Sequence, residues 1–227
     1  MTKKPKRKLL HHFLTMLENI KKILILAPHT DDGEFGCGAT INKLVKQGAE
    51  VYYAAFSACE QSILPQFPKD ILITEVKAAT RILGIKPENL ILFKYDVRTF
   101  SYHRQAILDD ILKLKQDIQP DLIFTPSVND IHQDHATISN EAVRAFKFTS
   151  ILCYELPWNN FNFTTTCFSQ LTENHVDIKI KALKEYQSQA HRPYADADFI
   201  RSLARIRGVQ IGVQYAEVFE VVRWIMK

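Results

Sequence analysis

The chain has 227 residues, of which 46% are hydrophobic and 24% charged, a balance that excludes a disordered polymer and suits one globular domain. Lys and Arg number 29 against 25 Asp and Glu, but Lys3, Lys4, Lys6, Arg7 and Lys8 crowd the first eight residues and leave 24 cations against 25 acids beyond them. The basic character therefore belongs to a tail, which argues against a nucleic-acid-binding face, and no apolar run reaches the roughly 18 residues of a membrane span.

Residues 1–8 read as a solvated arm and Leu9–Ile20 as a short amphipathic helix. His11 and His12 interrupt the apolar stretch, and no small-residue cleavage site follows, so a secretory leader is not expected. Cys37, Cys59, Cys153 and Cys167 form no CxxC pair; reduced thiols and a cytoplasmic location are the expectation. Ile23–Ala27 (ILILA) is a continuous apolar run, as in a strand buried on both faces. Thr40–Gln47 has helical spacing and stops at Gly48. Val51–Phe56 reads as a strand, Thr74–Leu83 as a helix closed by Gly84, and Leu90–Phe93 as a strand. A helix over Ser101–Ile118 places Ile107, Leu108, Ile111, Leu112, Leu114 and Ile118 largely on one face. Leu122–Thr125, a helix over His135–Phe146 and the strand Ile151–Leu156 continue the alternation. Strands separated by helices imply right-handed crossovers and an α/β, Rossmann-like three-layer sandwich with a mainly parallel sheet.

After Pro157 the rhythm loosens. Phe161–Phe168 alternates weakly, Val176–Gln189 is helical in spacing, and Tyr215–Trp224 looks like a late strand. The expected organisation is an arm and helix over 1–20 and a single domain over 21–227. Its core is 21–156, and 157–227 elaborate the sheet and close its working edge.

In such a sheet ligands bind at the carboxyl ends of the strands. Directly after the first strand stands Pro28-His29-Thr30-Asp31-Asp32-Gly33-Glu34-Phe35-Gly36-Cys37-Gly38. No GxGxxG register fits, and two acids and a histidine occupy the place where a pyrophosphate would need bare amides. The adjacency of Asp31 and Asp32 also excludes DxDx[TV]. Neighbouring side chains on extended backbone point apart, so one acid as a metal ligand and the other free for proton transfer is the economical division. His29 with one of them supplies the N and O donors that zinc accepts. The second cluster, Asn129-Asp130-Ile131-His132-Gln133-Asp134-His135, follows the strand Leu122–Thr125. His132 and His135 share a face if the chain has begun to turn helically, and Asp134 between them can accept a ring N–H and fix a tautomer. Together the two strand ends offer His, Asp and His for a metal, with an Asp and a His to spare.

PHTDDGEFGCGATI resembles the first motif of the PIG-L/LmbE-like deacetylases, (P)H-P-D-D-x-E-x-x-x-G-G, and HQDH resembles their H-P-D-H motif. The likeness extends over about residues 21–190, including the PDLIFTPS lead-in. It implies that fold and a zinc-dependent hydrolase that removes N-acyl, usually N-acetyl, groups from glucosamine-containing molecules. By that resemblance His29, Asp32 and His135 would hold one Zn²⁺ and Asp31 would be the general base. His132 would steady the oxyanion or, as a cation, protonate the leaving amine, and Asp134 would orient a histidine. Thr30 and Gln133 replace prolines of the pattern and Ala39 its last glycine, departures that bear on substrate fit. Expected partners are a small N-acetyl amino sugar, with an anionic group as an option, and optionally a second copy of the chain. Glu60, Asp96, Trp158, Asn159, Asn160, His191 and Arg192 are candidates to border the substrate, and Arg201, Arg205 and Arg207 extend the basic segment. Cys37 and Cys59 read as small buried hydrophobes. The alternatives are a metal-dependent amide or ester hydrolase on a non-sugar substrate, and a sugar-binding relative without turnover.

Overall fold

The computed structural model describes residues 20–226. The expected basic arm and the helix leading to Ile20 lie outside the described residues, except that Ile20 itself packs against the core. Seven strands form one sheet: β1 (Lys22–His29), β2 (Glu50–Ser57), β3 (Leu90–Leu92), β4 (Leu122–Pro126), β5 (Ser150–Tyr154), β6 (Cys167–Leu171) and β7 (Tyr215–Arg223). Their order is β3-β2-β1-β4-β5-β7-β6. The first five run parallel, and β7 lies antiparallel between β5 and β6. Six α-helices accompany them among the described residues: α1 (Asp32–Lys46), α2 (Ile71–Leu83), α3 (Arg104–Ile118), α4 (Gln133–Ala145), α5 (Glu173–Leu183) and α6 (Ala197–Gln210). None is long and apolar enough to cross a membrane.

The apolar run of β1 is buried because helices cover both faces. Ile23, Ile25 and Ala27 join a core made with α1, α2, α5 and α6, whereas Leu24 and Leu26 join a second core with α3 and α4. Each such Ile or Leu contributes about 1.5–3 kcal/mol by leaving water, so the central strand anchors all three layers. Strand order reverses between β1 and β4, which opens a crevice at their carboxyl ends. Both polar clusters of the sequence sit there.

Several boundaries differ from the sequence expectation. α1 begins at Asp32, eight residues before Thr40, and takes in the glycines that read as loop. These glycines serve close packing: a Cβ on Gly36 would stand 2.2 Å from the Tyr154 ring. α2 starts at Ile71, and a 3₁₀ turn at Phe100–Tyr102 precedes α3. The weak alternation over 161–168 yields only the start of β6 at Cys167, and α5 stops at Leu183. α6 was not foreseen, because its arginines obscure a short apolar stripe of Ile200 and Ala204. Its start signal is Asp196, whose side chain accepts from the Asp198 and Phe199 amides. β7 and β6 extend the main sheet beyond β5.

Candidate active site

His29 is the last residue of β1, and Asp32 opens α1 three residues later. His135 lies in the first turn of α4, which follows β4. The strand ends bring these three side chains to one point. His29 Nδ1 is 3.1 Å from Asp32 Oδ2, His135 Nε2 is 3.2 Å from the same oxygen, and the two ring nitrogens are 3.2 Å apart. Tetrahedral zinc with ligands at 2.0–2.2 Å separates its donors by about 3.4 Å, so this triangle fits such an ion with small adjustment. The outer nitrogens are also held: His29 Nε2 meets Asp134 Oδ2 at 3.1 Å, and His135 Nδ1 meets Asp130 Oδ2 at 2.8 Å. A histidine that ligates a metal through one nitrogen typically gives the other N–H to a carboxylate, and both rings do so here. His29, His132 and His135 together present nitrogens within 4.8 Å of one another, so the cluster as a whole could hold a metal ion.

Charge confirms how tightly the groups are coupled. Burial opposes it, but Asp32 and the hydrogen bond to Asp134 push His29 up to about 8. Against the same penalty, Asp32 and Asp130 push His135 up to about 10. The two histidines in turn hold the Asp32 carboxyl well below the usual carboxylate range despite its burial. Asp31 behaves oppositely: burial, and then the Asp32 charge, raise it to about 6. It occupies the N-cap position of α1 yet makes no side-chain cap bond, and its carboxyl lines the cavity. His132 caps α4 with Nδ1, which accepts from the Asp134 amide at 3.2 Å. Burial and the neighbouring His135 and His29 lower it to about 4. With Nδ1 occupied as an acceptor, the neutral ring keeps its proton on Nε2. Both features disfavour the cationic ring expected for protonating a leaving amine.

The cavity above the triangle measures about 380 Å³. Trp158, Asn159 and Arg192 line it, as do Phe35, Arg98, Gln189 and Tyr194. One face of Trp158 is already covered, since its ring stacks on Tyr194 at 3.9 Å between centroids. The other sequence candidates lie elsewhere. Glu60 and His191 are exposed and outside the lining. Asp96 is exposed and accepts from Gln61, and Asn160 Oδ1 accepts from the Leu156 amide at 2.7 Å to shape its own loop. Arg201 pairs with Asp177, Arg205 donates to the carbonyls of Val213 and Gln214, and Arg207 pairs with Glu155. Of the basic segment, only Arg192 reaches the cavity. Asp134 orients a histidine as expected, and the histidine is His29 of the first motif, at the end of the neighbouring strand β1.

Three contributors escaped the sequence reading. Asp130 was visible in the second cluster, spaced D-x-H-x-D-H, but received no role. Glu34, a member of the first motif, is fully buried, with Tyr53 and Tyr186 hydroxyls on its two oxygens; burial raises it to about 8 against their pull. Tyr186 also donates to the Thr30 carbonyl at 2.8 Å, so this network stiffens the loop that carries Asp31 and Asp32. Arg98 had no signal, because its left-handed backbone (φ 69°) and its amide bond to Asp134 at 2.5 Å arise only from the folded β3–α3 connection.

Residues 24–146 match the family described as PIG-L: GlcNAc-PI de-N-acetylase. The chain is 28% identical over 176 residues to the uncharacterized deacetylase YaiS of Escherichia coli, covering 74% of this chain and 91% of that protein. Diacetylchitobiose deacetylase of Thermococcus kodakarensis is 22% identical over 222 residues, covering 88% and 82% of the two chains. Among solved structures, N,N'-diacetylchitobiose deacetylase of Pyrococcus horikoshii superposes with a TM-score of 0.77 at 22% identity, covering 97% of this chain and 94% of that one.

Proposed function

Because the chain belongs to the PIG-L family and is a deacetylase of that family, we propose that it removes an N-acetyl group from a small amino sugar, giving acetate and a free amine, with one zinc ion held by His29, Asp32 and His135. The observation that carries the reading is the 3.1–3.2 Å donor triangle with a carboxylate behind each histidine. Zinc at that point would supply a Lewis acid for the acetyl carbonyl and make a nearby water acidic near neutral pH.

The chain's own residues would do the rest. Asp31, free of cap bonds and raised to about 6, takes a proton from the attacking water and delivers it to the departing nitrogen, so the proton count balances. His132 directs Nε2–H at the oxyanion that forms on the acetyl oxygen, with its orientation set by the bond to the Asp134 amide. Asp134 and Asp130 hold the tautomers of His29 and His135. An N-acetyl amino sugar is supported by the chitobiose deacetylases that the chain resembles. An anionic group on it is supported by Arg98 and Arg192 in the cavity wall. Arginine ion pairs among the described residues involve Arg104, Arg144, Arg201 and Arg207; Arg98 donates only to the neutral Ser62 hydroxyl at 3.3 Å, so neither cavity arginine has its charge matched by a carboxylate.

The test is metal analysis of the purified protein together with acetate release over free, lipid-linked and nucleotide-linked N-acetyl sugars. About one zinc per chain and equal yields of acetate and primary amine are expected. Zinc-loaded protein that releases acetate from none of these, but cleaves a simple ester or non-sugar amide, would overturn the sugar assignment.

A further inference from the structure

Helix α1 is broken. At Cys37 the backbone leaves the helical region (φ −145°, ψ 20°), so the segment that carries Asp32, Glu34 and Phe35 is separated from the segment that begins at Gly38. In an unbroken helix the Phe35 carbonyl would accept from the Ala39 amide. Here Ala39 donates to Glu217 Oε1 at 3.1 Å, and Thr40 donates to Glu217 Oε2 at 2.7 Å. The Phe35 carbonyl is met by Lys179 Nζ at 2.5 Å. Lys179 and Glu217 pair with each other at 2.7 Å, their side chains only 8% and 7% exposed.

A buried ion pair is an expensive way to fill a core, since apolar groups of similar volume usually do as well or better. This one meets a specific demand. The end of a helical segment presents bare carbonyls and suits a cation, and the start of the next presents bare amides and suits an anion. Lys179 comes from α5 and Glu217 from β7, so the C-terminal third of the chain supplies both halves. The bare α-carbon of Gly38 makes room for the lysine stem: a Cβ there would stand 3.2 Å from Lys179 Cγ. Phe35 links the break to the cavity, its ring lying edge-on to Trp158 at 5.4 Å and Tyr194 at 5.3 Å.

We propose that the Lys179–Glu217 pair is a positioning device, a two-sided cap that sets the break in α1 and thereby holds Asp32 and Phe35 in place. The link to Asp32 rests on its reading as a metal ligand under the proposed function. Neither residue touches the reacting atoms; both act through the backbone of α1.

The experiment titrates zinc into the metal-free full-length protein and its Lys179→Met and Glu217→Gln variants, with steady-state kinetics and alkylation of Cys37 followed by peptide mapping. The buried thiol of Cys37, the residue at the break, donates back to the Gly33 carbonyl of the first segment at 3.3 Å, so its reactivity reports the local geometry. Zinc affinity weakened by about 10–100-fold, as for lost support behind a metal ligand, is the expected result. With it should come a comparable fall in kcat, a KM changed by less than about threefold, and faster Cys37 alkylation. Folded variants that lose melting temperature alone, with wild-type zinc affinity and a protected Cys37, would overturn the proposal. Glu217→Gln keeps shape and one acceptor, so it decides if Lys179→Met does not fold. A wild type that binds zinc but deacetylates nothing would sink the proposed reaction while leaving the zinc and thiol readouts to judge the device.

Discussion

Two adjacent carboxylates in one motif have opposite environments. Asp32 faces two histidines that stabilise its charge, whereas Asp31, half-buried beside that charge, holds its proton more readily. Pairs of acids driven apart in this way divide into an electrostatic role and a proton-transfer role. Asp31→Asn should keep its zinc and lose about 10²–10⁴-fold in turnover, and Asp32→Asn should lose the metal. Metal analysis that finds the reverse would exchange the two assignments. Asp130 and Asp134 support different histidines at 2.8 and 3.1 Å. Asp130→Asn and Asp134→Asn should therefore each cost about 10–100-fold in zinc affinity or rate, read by competition with a chromogenic chelator. An effect for Asp134 alone would mean that His135 needs no carboxylate behind it. The sequence made Asp134 conspicuous because it lies between two histidines, yet its partner proved to be His29, a contact that the sheet alone creates.

At the scale of the element, α1 decides the most, and its first eight residues were not legible as helix. Counting propensities, Gly33, Gly36 and Gly38 argue against a helix, so Thr40 was the natural place to begin it. Tertiary packing overrides that preference, because the helix must lie close against the buried ring of Tyr154, whose hydroxyl is tied to the Leu26 carbonyl at 3.1 Å. Gly36→Ala should accordingly destabilise the protein. With a contact of 2.2 Å to relieve and a ring that cannot retreat, overpacking of about 3 kcal/mol or more is expected. That corresponds to a fall of roughly 6–12 °C in melting temperature, measurable by calorimetry on the metal-free protein. An unchanged melting temperature would show that Tyr154 can move. The strands fared better: β1, β2, β4 and β5 fall within two residues of their expected bounds, because runs buried on both faces leave a largely apolar signature.

Over the whole molecule, the reversal of strand order between β1 and β4 explains why motifs about a hundred residues apart meet, and the segments after β5 contribute Trp158, Asn159, Gln189, Arg192 and Tyr194 to the cavity wall. Arg192 from those segments and Arg98 from the β3–α3 connection are the arginines that line it. Arg98→Ala and Arg192→Ala should selectively impair a phosphorylated or nucleotide-linked N-acetyl sugar relative to the free sugar. In wild type, raised salt should narrow the difference between the two substrates. Arg201→Ala, Arg205→Ala and Arg207→Ala should show no such selectivity, since those side chains bond to Asp177, to backbone carbonyls and to Glu155. Equal losses on both substrates for Arg98→Ala and Arg192→Ala would leave the cavity without an anion site.

By itself the sequence determined the layered α/β architecture, the two strand ends that carry the chemistry, and the residue types gathered there. Those features follow from hydrophobic period and local spacing, which act over a few residues. Only the tertiary structure decided which carboxylate stands behind which histidine, that His132 spends Nδ1 on the Asp134 amide, that Glu34 braces the first motif, and that Arg192 alone among the arginines of its segment lines the cavity. Each of those outcomes depends on the direction of a side chain across a contact between distant elements. The same holds for the broken helix: its glycines are legible in the chain, but the lysine and glutamate that cap the break arrive from α5 and β7 and become its partners only when the sheet is assembled.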